Sequence, residues 1–109
     1  MALRISVLPG FEEDLHALPL QAQKAIIAAI VDLREGRRRG LPLEARSSVA
    51  DLSDCHKLYV GTSPSGRPEY RLVYRLVSNR VTVVGAEIVA AGRREGLDAY
   101  LRAARRLGR

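Results

Sequence analysis

The segment GRREGLDAYLRAARRLGR, Gly92 to Arg109, holds six arginines and a single tyrosine, Tyr100, in eighteen residues. Permanent positive charges around one phenol can do two things. They hold a polyanion such as a phosphodiester, and they favour phenolate over phenol, so that a group with an ordinary pKa of ~10 becomes usable nearer neutrality. A second set of such groups lies upstream. Side chains alternate along a strand, so EYRLVYRLV puts Tyr70, Leu72, Tyr74 and Leu76 on one side and Arg71, Val73, Arg75 and Val77 on the other. In CHKLYV, His56, Leu58 and Val60 fall on the apolar side, and Cys55, Lys57 and Tyr59 on the opposite one. Two neighbouring strands are therefore expected to present Lys57, Tyr59, Arg71 and Arg75 on one open surface. Arg94 precedes Tyr100 by six residues, and on one continuous helix the two would stand ~120° apart. On the turn leading into the helix, Arg94 can instead lean toward Tyr100 across the sheet edge, closing a basic groove with a phenol at one end. Taken singly, each cation is an ordinary solvated side chain; the shared face gives them meaning.

The bulk properties fit such a groove. The chain has 109 residues and a net charge of +6, unevenly placed. Residues 1–55 carry seven Lys/Arg against eight Asp/Glu, and residues 56–109 carry eleven against four. The C-terminal half thus holds all the excess, which points to a polyanionic partner, with nucleic acid first in line. Sixteen of the eighteen cations are arginine, a bias that a GC-rich genome also produces. One cysteine and two histidines leave no disulfide, no CxxC motif and no expected zinc site, and no cofactor is called for. His56 alternates inward, His16 is expected at the surface, and Cys55 reads as a small hydrophobe. No apolar run approaches a membrane span, and MALRISVLPGFEEDL does not read as a signal peptide, so a cytoplasmic protein is expected.

The elements that must position these groups are short. RISVL (Arg4–Leu8) reads as a strand stopped by Pro9-Gly10. Phe11–Leu18 and Pro19–Glu35 read as two helices forming a hairpin, the second with an apolar stripe through Ile26, Ile27, Ile30, Val31 and Leu33. Gly36–Asp54 reads as loop, including the arginine run Arg37–Arg39. CHKLYVG, EYRLVYRLV and RVTVVGAEIV read as three strands, joined by TSPSGRP and by a turn at Ser78-Asn79. A last helix runs from about Glu95 to Leu107, docking through Leu97, Leu101, Ala104 and Leu107 with Tyr100 beside that stripe. The order β-α-α-β-β-β-α gives a single α+β domain over residues 1–109: a small, mostly antiparallel sheet with the helical hairpin on one face and a C-terminal helix.

DCHKLYV, then YRLVYRL, then a strand, then GRREGLDAYLRAARRL resembles the RelE branch of the RelE/ParE toxin superfamily, over about Asp54 to Leu107. The resemblance implies the RelE-like fold and the toxin of a type II toxin–antitoxin system. It further implies a ribosome-dependent mRNA endonuclease that inhibits translation, with a cognate antitoxin, the ribosome and mRNA as partners and no membrane. Carried over position by position, the implied catalytic residues are Lys57, Arg71, Arg94 and Tyr100, with Tyr59, Arg75 and Arg93 contacting RNA. Two features depart from the family pattern. Tyr59 stands where RelE-like proteins commonly have a second lysine, and TSPSGRPE lengthens the connection ahead of YRLVY.

RNA brings its own nucleophile, the 2′-hydroxyl. Cleavage needs a base for that hydroxyl, charge at the phosphorus and an acid for the leaving 5′-oxygen. Tyr100 or Lys57 is expected to serve as base, Arg94 to stabilise the phosphorane, and Arg71 to act as leaving-group partner or phosphate clamp. Three other readings share the basic face: a ParE-like inhibitor of gyrase, an RNA-binding module without turnover, and a non-catalytic family member that only pairs with its antitoxin.

Overall fold

The structure, a computed structural model, describes residues 2–43, 51–61, 67–94 and 96–109. The elements run β1 (Arg4–Val7), α1 (Phe11–His16), α2 (Leu20–Arg34), β2 (Leu41–Pro42), β3 (Cys55–Val60), β4 (Tyr70–Ser78), β5 (Val83–Arg93) and α3 (Asp98–Arg106). They form one five-stranded sheet in the order β1-β5-β4-β3-β2. β1 pairs parallel with β5, and every other pairing is antiparallel. The expected α+β order therefore holds, with one edge strand added. β2 lies inside the stretch expected to be loop, and its two residues are too few to show an alternation. The Thr62–Gly66 part of the TSPSGRP connection and residues 44–50 lie outside the described residues.

Strand alternation sorts the two faces as expected. Leu58, Val60, Tyr70, Leu72 and Tyr74 pack with Phe11, Leu18, Ala22, Ile26, Ala29 and Leu33 of the α1/α2 hairpin. His56 stacks on Tyr74 at 5.4 Å and 19°, and burial lowers its pKa. The other face is not open along its whole length, which corrects the expectation. α3 lies across it, and Val73, Cys55, Val89 and Ala90 are buried there with Ala99, Ala103, Ala104 and Leu52.

Of the expected docking stripe, Ala104 and Leu107 do pack against the sheet, whereas Leu97 and Leu101 do not. Leu97 and Leu101 are 40% and 48% exposed, and the buried residues of α3 are alanines. Small side chains let the helix lie close to the sheet. At Gly92 even a Cβ would stand 3.2 Å from the Ala99 nitrogen. A β-bulge supports the same contact: Val73 pairs with Ala90 and Tyr74 with Ile88, so Val89 is extra and both Val89 and Ala90 face α3.

A buried ion pair locks α3 in place. The Asp14 carboxylate, 4% exposed, accepts from both terminal nitrogens of Arg106, at 2.7 Å from Nη2, and from the Ala91 backbone N–H at 3.1 Å. The Asp14 hydrogen bond and charge hold the Arg106 pKa above its ordinary value, against the opposing pull of burial. These groups line a cleft of about 260 Å³ with Glu13, Arg102 and Arg105. Removing one partner of a buried pair strands the other charge at a cost of about 3 kcal/mol. We expect Asp14→Ala to lower the thermal midpoint by about 10 °C, read by circular dichroism; an unchanged midpoint would mean the pair contributes nothing.

Candidate active site

The sheet brings Lys57, Tyr59 and Arg71 together by register. Tyr59 pairs with Arg71 and Lys57 with Val73 across β3 and β4, and Arg71 pairs with Gly92 of β5. Gly40 tightens β3 from outside: its N–H donates to the Tyr74 hydroxyl at 2.8 Å, and a Cβ there would lie 2.2 Å from the Lys57 carbonyl oxygen. Arg94 leaves the sheet immediately after β5, and its backbone N–H donates to the Glu69 carbonyl at 2.8 Å, fixing the turn against the start of β4. α3 begins only at Asp98. Arg94 is thus off the helix, as the angular argument required, while Glu95 lies outside the described residues.

The resulting cluster has two phenols and three cations. The Lys57 ammonium stands 5.4 Å from the centre of the Tyr59 ring, the Arg71 guanidinium 5.7 Å and the Arg94 guanidinium 5.4 Å. Arg71 also lies 4.2 Å from the centre of the Tyr100 ring, so one guanidinium sits against both phenols. All four distances fall within cation–π range. No carboxylate of the described residues pairs with Lys57, Arg71 or Arg94 in the structure. Arg71 is 8% exposed; its Nη1 donates to the Gly96 carbonyl at 3.4 Å, and its Nε, buried, has no hydrogen-bond partner among the described residues. A buried donor without a partner is costly, and the guanidinium's charge is likewise unmatched by any carboxylate of the described residues.

Charge acts on Tyr59 in opposition to burial. Burial pushes its phenol up, and hydrogen bonding and charge from Lys57 and then Arg71 outweigh it, leaving the pKa below its ordinary value of 10.0. Tyr59 is therefore a more central group than its expected role as an RNA contact. The sequence carried only part of the signal, its alternation onto the same face as Lys57; the register opposite Arg71 is a feature of the sheet.

The expectation that Arg94 leans on Tyr100 is replaced by a relay. Arg94 meets Tyr59, and Arg71 links Tyr59 to Tyr100. Arg75 and Arg93 lie apart from the cluster. Arg75 hydrogen-bonds the Glu87 carboxylate through Nε at 3.0 Å and approaches Asp54 at 3.7 Å. Its charge is thus matched, and Asp54 is itself held at about 2 by its hydrogen bond to Arg109. Arg93 stands 5.6 Å from the Tyr70 ring, and Tyr70 belongs to the hairpin-side core. Of the arginine run, Arg37 hydrogen-bonds Asp32 at 2.9 Å and Arg38 donates to the Tyr59 carbonyl at 2.7 Å. Cys55 is fully buried, and burial pushes its thiol up to about 11; His16 is exposed on α1.

No helix of the described residues is long and apolar enough to cross a membrane, and among them no group of three or more His, Cys, Asp or Glu is placed to hold a metal ion.

No protein-family profile matches the sequence, and no curated protein does. Solved structures do match in fold. A free-state variant of the Escherichia coli toxin RelE, with two arginines changed to alanine, aligns at a TM-score of 0.64 and 22% identity, over 98% of this chain and 99% of that one. The toxin–antitoxin complex RelBE2 of Mycobacterium tuberculosis aligns at 0.53 and 24% identity, over 86% of this chain and 100% of the matched one. Element order, sheet order and near-complete coverage together give this chain the fold of the RelE-like toxins.

Proposed function

We propose that the chain is the toxin of a type II toxin–antitoxin pair and that it cleaves mRNA on the ribosome, in the cytoplasm, at the Lys57/Tyr59/Arg71/Arg94/Tyr100 cluster. The observation that carries this reading is Arg71, wedged between two phenols with a buried Nε left unpartnered. A scissile phosphate held against that guanidinium would match its charge and lie between two proton-transfer groups. Arg94, exposed beside Tyr59, is free to swing onto the charge that develops at phosphorus. Such preorganised donors stabilise a transition state more than a ground state. The RNA supplies its 2′-hydroxyl, so the protein needs no nucleophile of its own. The ribosome supplies the positioning of the substrate, a large part of any barrier reduction. Arg75, matched by Glu87 and Asp54, is given no phosphate in this reading, and Arg93 is left to the periphery.

Induced expression in a bacterium, with transcript ends mapped against the reading frame, tests the reading. Breaks in phase with codons support it. Arrest without breaks, together with blocked gyrase supercoiling, would replace it with the ParE-like alternative.

The antitoxin is expected to shield the same cluster with an acidic segment, because like-charge juxtaposition costs affinity and opposite charge steers association. Arg71→Glu/Arg94→Glu should weaken antitoxin binding most strongly at low salt, measured by calorimetry at two ionic strengths. Undiminished affinity at low salt would place the antitoxin elsewhere.

A further inference from the structure

We propose that Tyr59 takes the proton from the attacking 2′-hydroxyl, with Lys57 as its charge partner rather than the base itself; the assignment rests on the nuclease reading above. The four tyrosines differ in kind. Tyr70 and Tyr74 are buried in the hairpin-side core. Tyr100 has one guanidinium over its ring. Tyr59 has three cations within 5.7 Å of its ring centre, each from a different segment of the chain. They are Lys57 of β3, Arg71 of β4 and Arg94 of the turn after β5. Arg38, from the segment after α2, donates to the Tyr59 backbone carbonyl at 2.7 Å and so holds the strand rather than the phenol. No carboxylate of the described residues pairs with the three cations over the ring. Positive charge on several sides favours the phenolate, and the direction of the Tyr59 shift agrees. The same neighbourhood argues against Lys57 as base. A neutral Lys57 amine would give up the charge that makes the phenolate available, and Arg71 and Arg94 alone would then support it.

The step balances as follows. The Tyr59 phenolate accepts the 2′-hydroxyl proton while O2′ forms its bond to phosphorus. The bond from phosphorus to O5′ breaks, and its electron pair leaves with O5′. On the far side of Arg71, the Tyr100 hydroxyl gives its proton to that oxygen. The products are a 2′,3′-cyclic phosphate and a 5′-hydroxyl. Tyr59 ends protonated and Tyr100 ionised, and exchange with water resets both.

The test is the pH dependence of single-turnover cleavage of an mRNA in the ribosomal A site, for the whole chain and three variants. Tyr59→Phe keeps the ring and its cation contacts and should lose about 10²-fold in rate, together with the acid limb of the profile. Lys57→Gln should move that limb to higher pH while recovering rate on the alkaline side; a base deleted outright would lose rate at every pH. Arg38→Gln, acting only on the backbone carbonyl, should leave the limb in place. Phenolate absorbance of the free protein adds a readout without ribosomes: one tyrosine should ionise below the ordinary range and vanish from the titration in Tyr59→Phe. If the parent cleaves and Tyr59→Phe cleaves near the parent's rate, Tyr59 is not the base and the nuclease reading stands. If the parent cleaves nothing, the nuclease reading falls and takes the assignment with it, whatever the absorbance shows.

Discussion

Arg71→Ala is expected to reduce single-turnover cleavage of A-site mRNA by at least about 10³-fold, at the upper end of what one transition-state donor supplies. The size follows from its position. It lies against both phenols, so its removal deletes the proposed phosphate clamp, one of the charges favouring the Tyr59 phenolate and the partner of the Tyr100 ring. Arg71 is also largely buried, and truncation leaves a space that could unsettle the sheet. Arg71→Lys separates the two effects. A lysine keeps a charge and a long stem but loses the planar fork that binds phosphate bidentately and stacks on aromatic faces. It should fold with a thermal midpoint near the parent's and still lose most of the activity. Rapid-quench kinetics beside thermal melts decide the matter: a stable Arg71→Lys protein at parental rate would remove the fork from the mechanism.

Tyr100→Phe and Arg94→Ala should each lower the same rate by about 10²–10³ while leaving ribosome co-sedimentation nearly unchanged. Tyr100 sits in the first turn of α3, half-buried against the alanine-lined cluster beneath the helix. Phenylalanine keeps that packing and the face presented to Arg71, and deletes only the hydroxyl. Arg94 is exposed, and its backbone hydrogen bond to Glu69 does not depend on its side chain, so alanine there removes charge without disturbing the turn. Binding is spread over many cations, each a small, salt-sensitive increment. Co-sedimentation at two salt concentrations gives the contrast: a binding loss as large as the rate loss would make these residues anchors rather than catalysts.

Much of this arrangement was legible because the period of a strand is strict. HKLYV and YRLVYRL alternate cleanly, so Lys57, Tyr59 and Arg71 had to share a face and Leu58, Leu72 and Tyr74 the other. Helix geometry allowed Arg94 a place on the entry turn, and there it lies, but it meets Tyr59 rather than Tyr100. The last strand was harder. β5 begins at Val83 and ends at Arg93, later at both ends than RVTVVGAEIV suggests. Asn79 Oδ1 accepts from the N–H groups of Val81 and Thr82 at 2.9 and 2.8 Å, which spends those residues in the turn. At the other end, Ala90, Ala91 and Gly92 have weak strand propensity; Ala90 and Gly92 are small where α3 lies on them, while Ala91 faces the hairpin-side core. The same crowding explains the exposed Leu97 and Leu101: a docking face of alanines has little hydropathy to display. Asp14 and Arg106 are 92 positions apart, and no local pattern joins them. The weight on Tyr59 became visible only when three separate segments were seen to converge on one ring.

The central claim is that the Arg71 cluster cuts RNA held by a ribosome. It is tested most directly by mixing the purified protein with ribosomes carrying a defined codon in the A site and mapping the mRNA ends. A cut within the A-site codon, leaving a 2′,3′-cyclic phosphate and a 5′-hydroxyl and absent without ribosomes, is the predicted result. Intact mRNA under conditions where the protein binds the ribosome would contradict it.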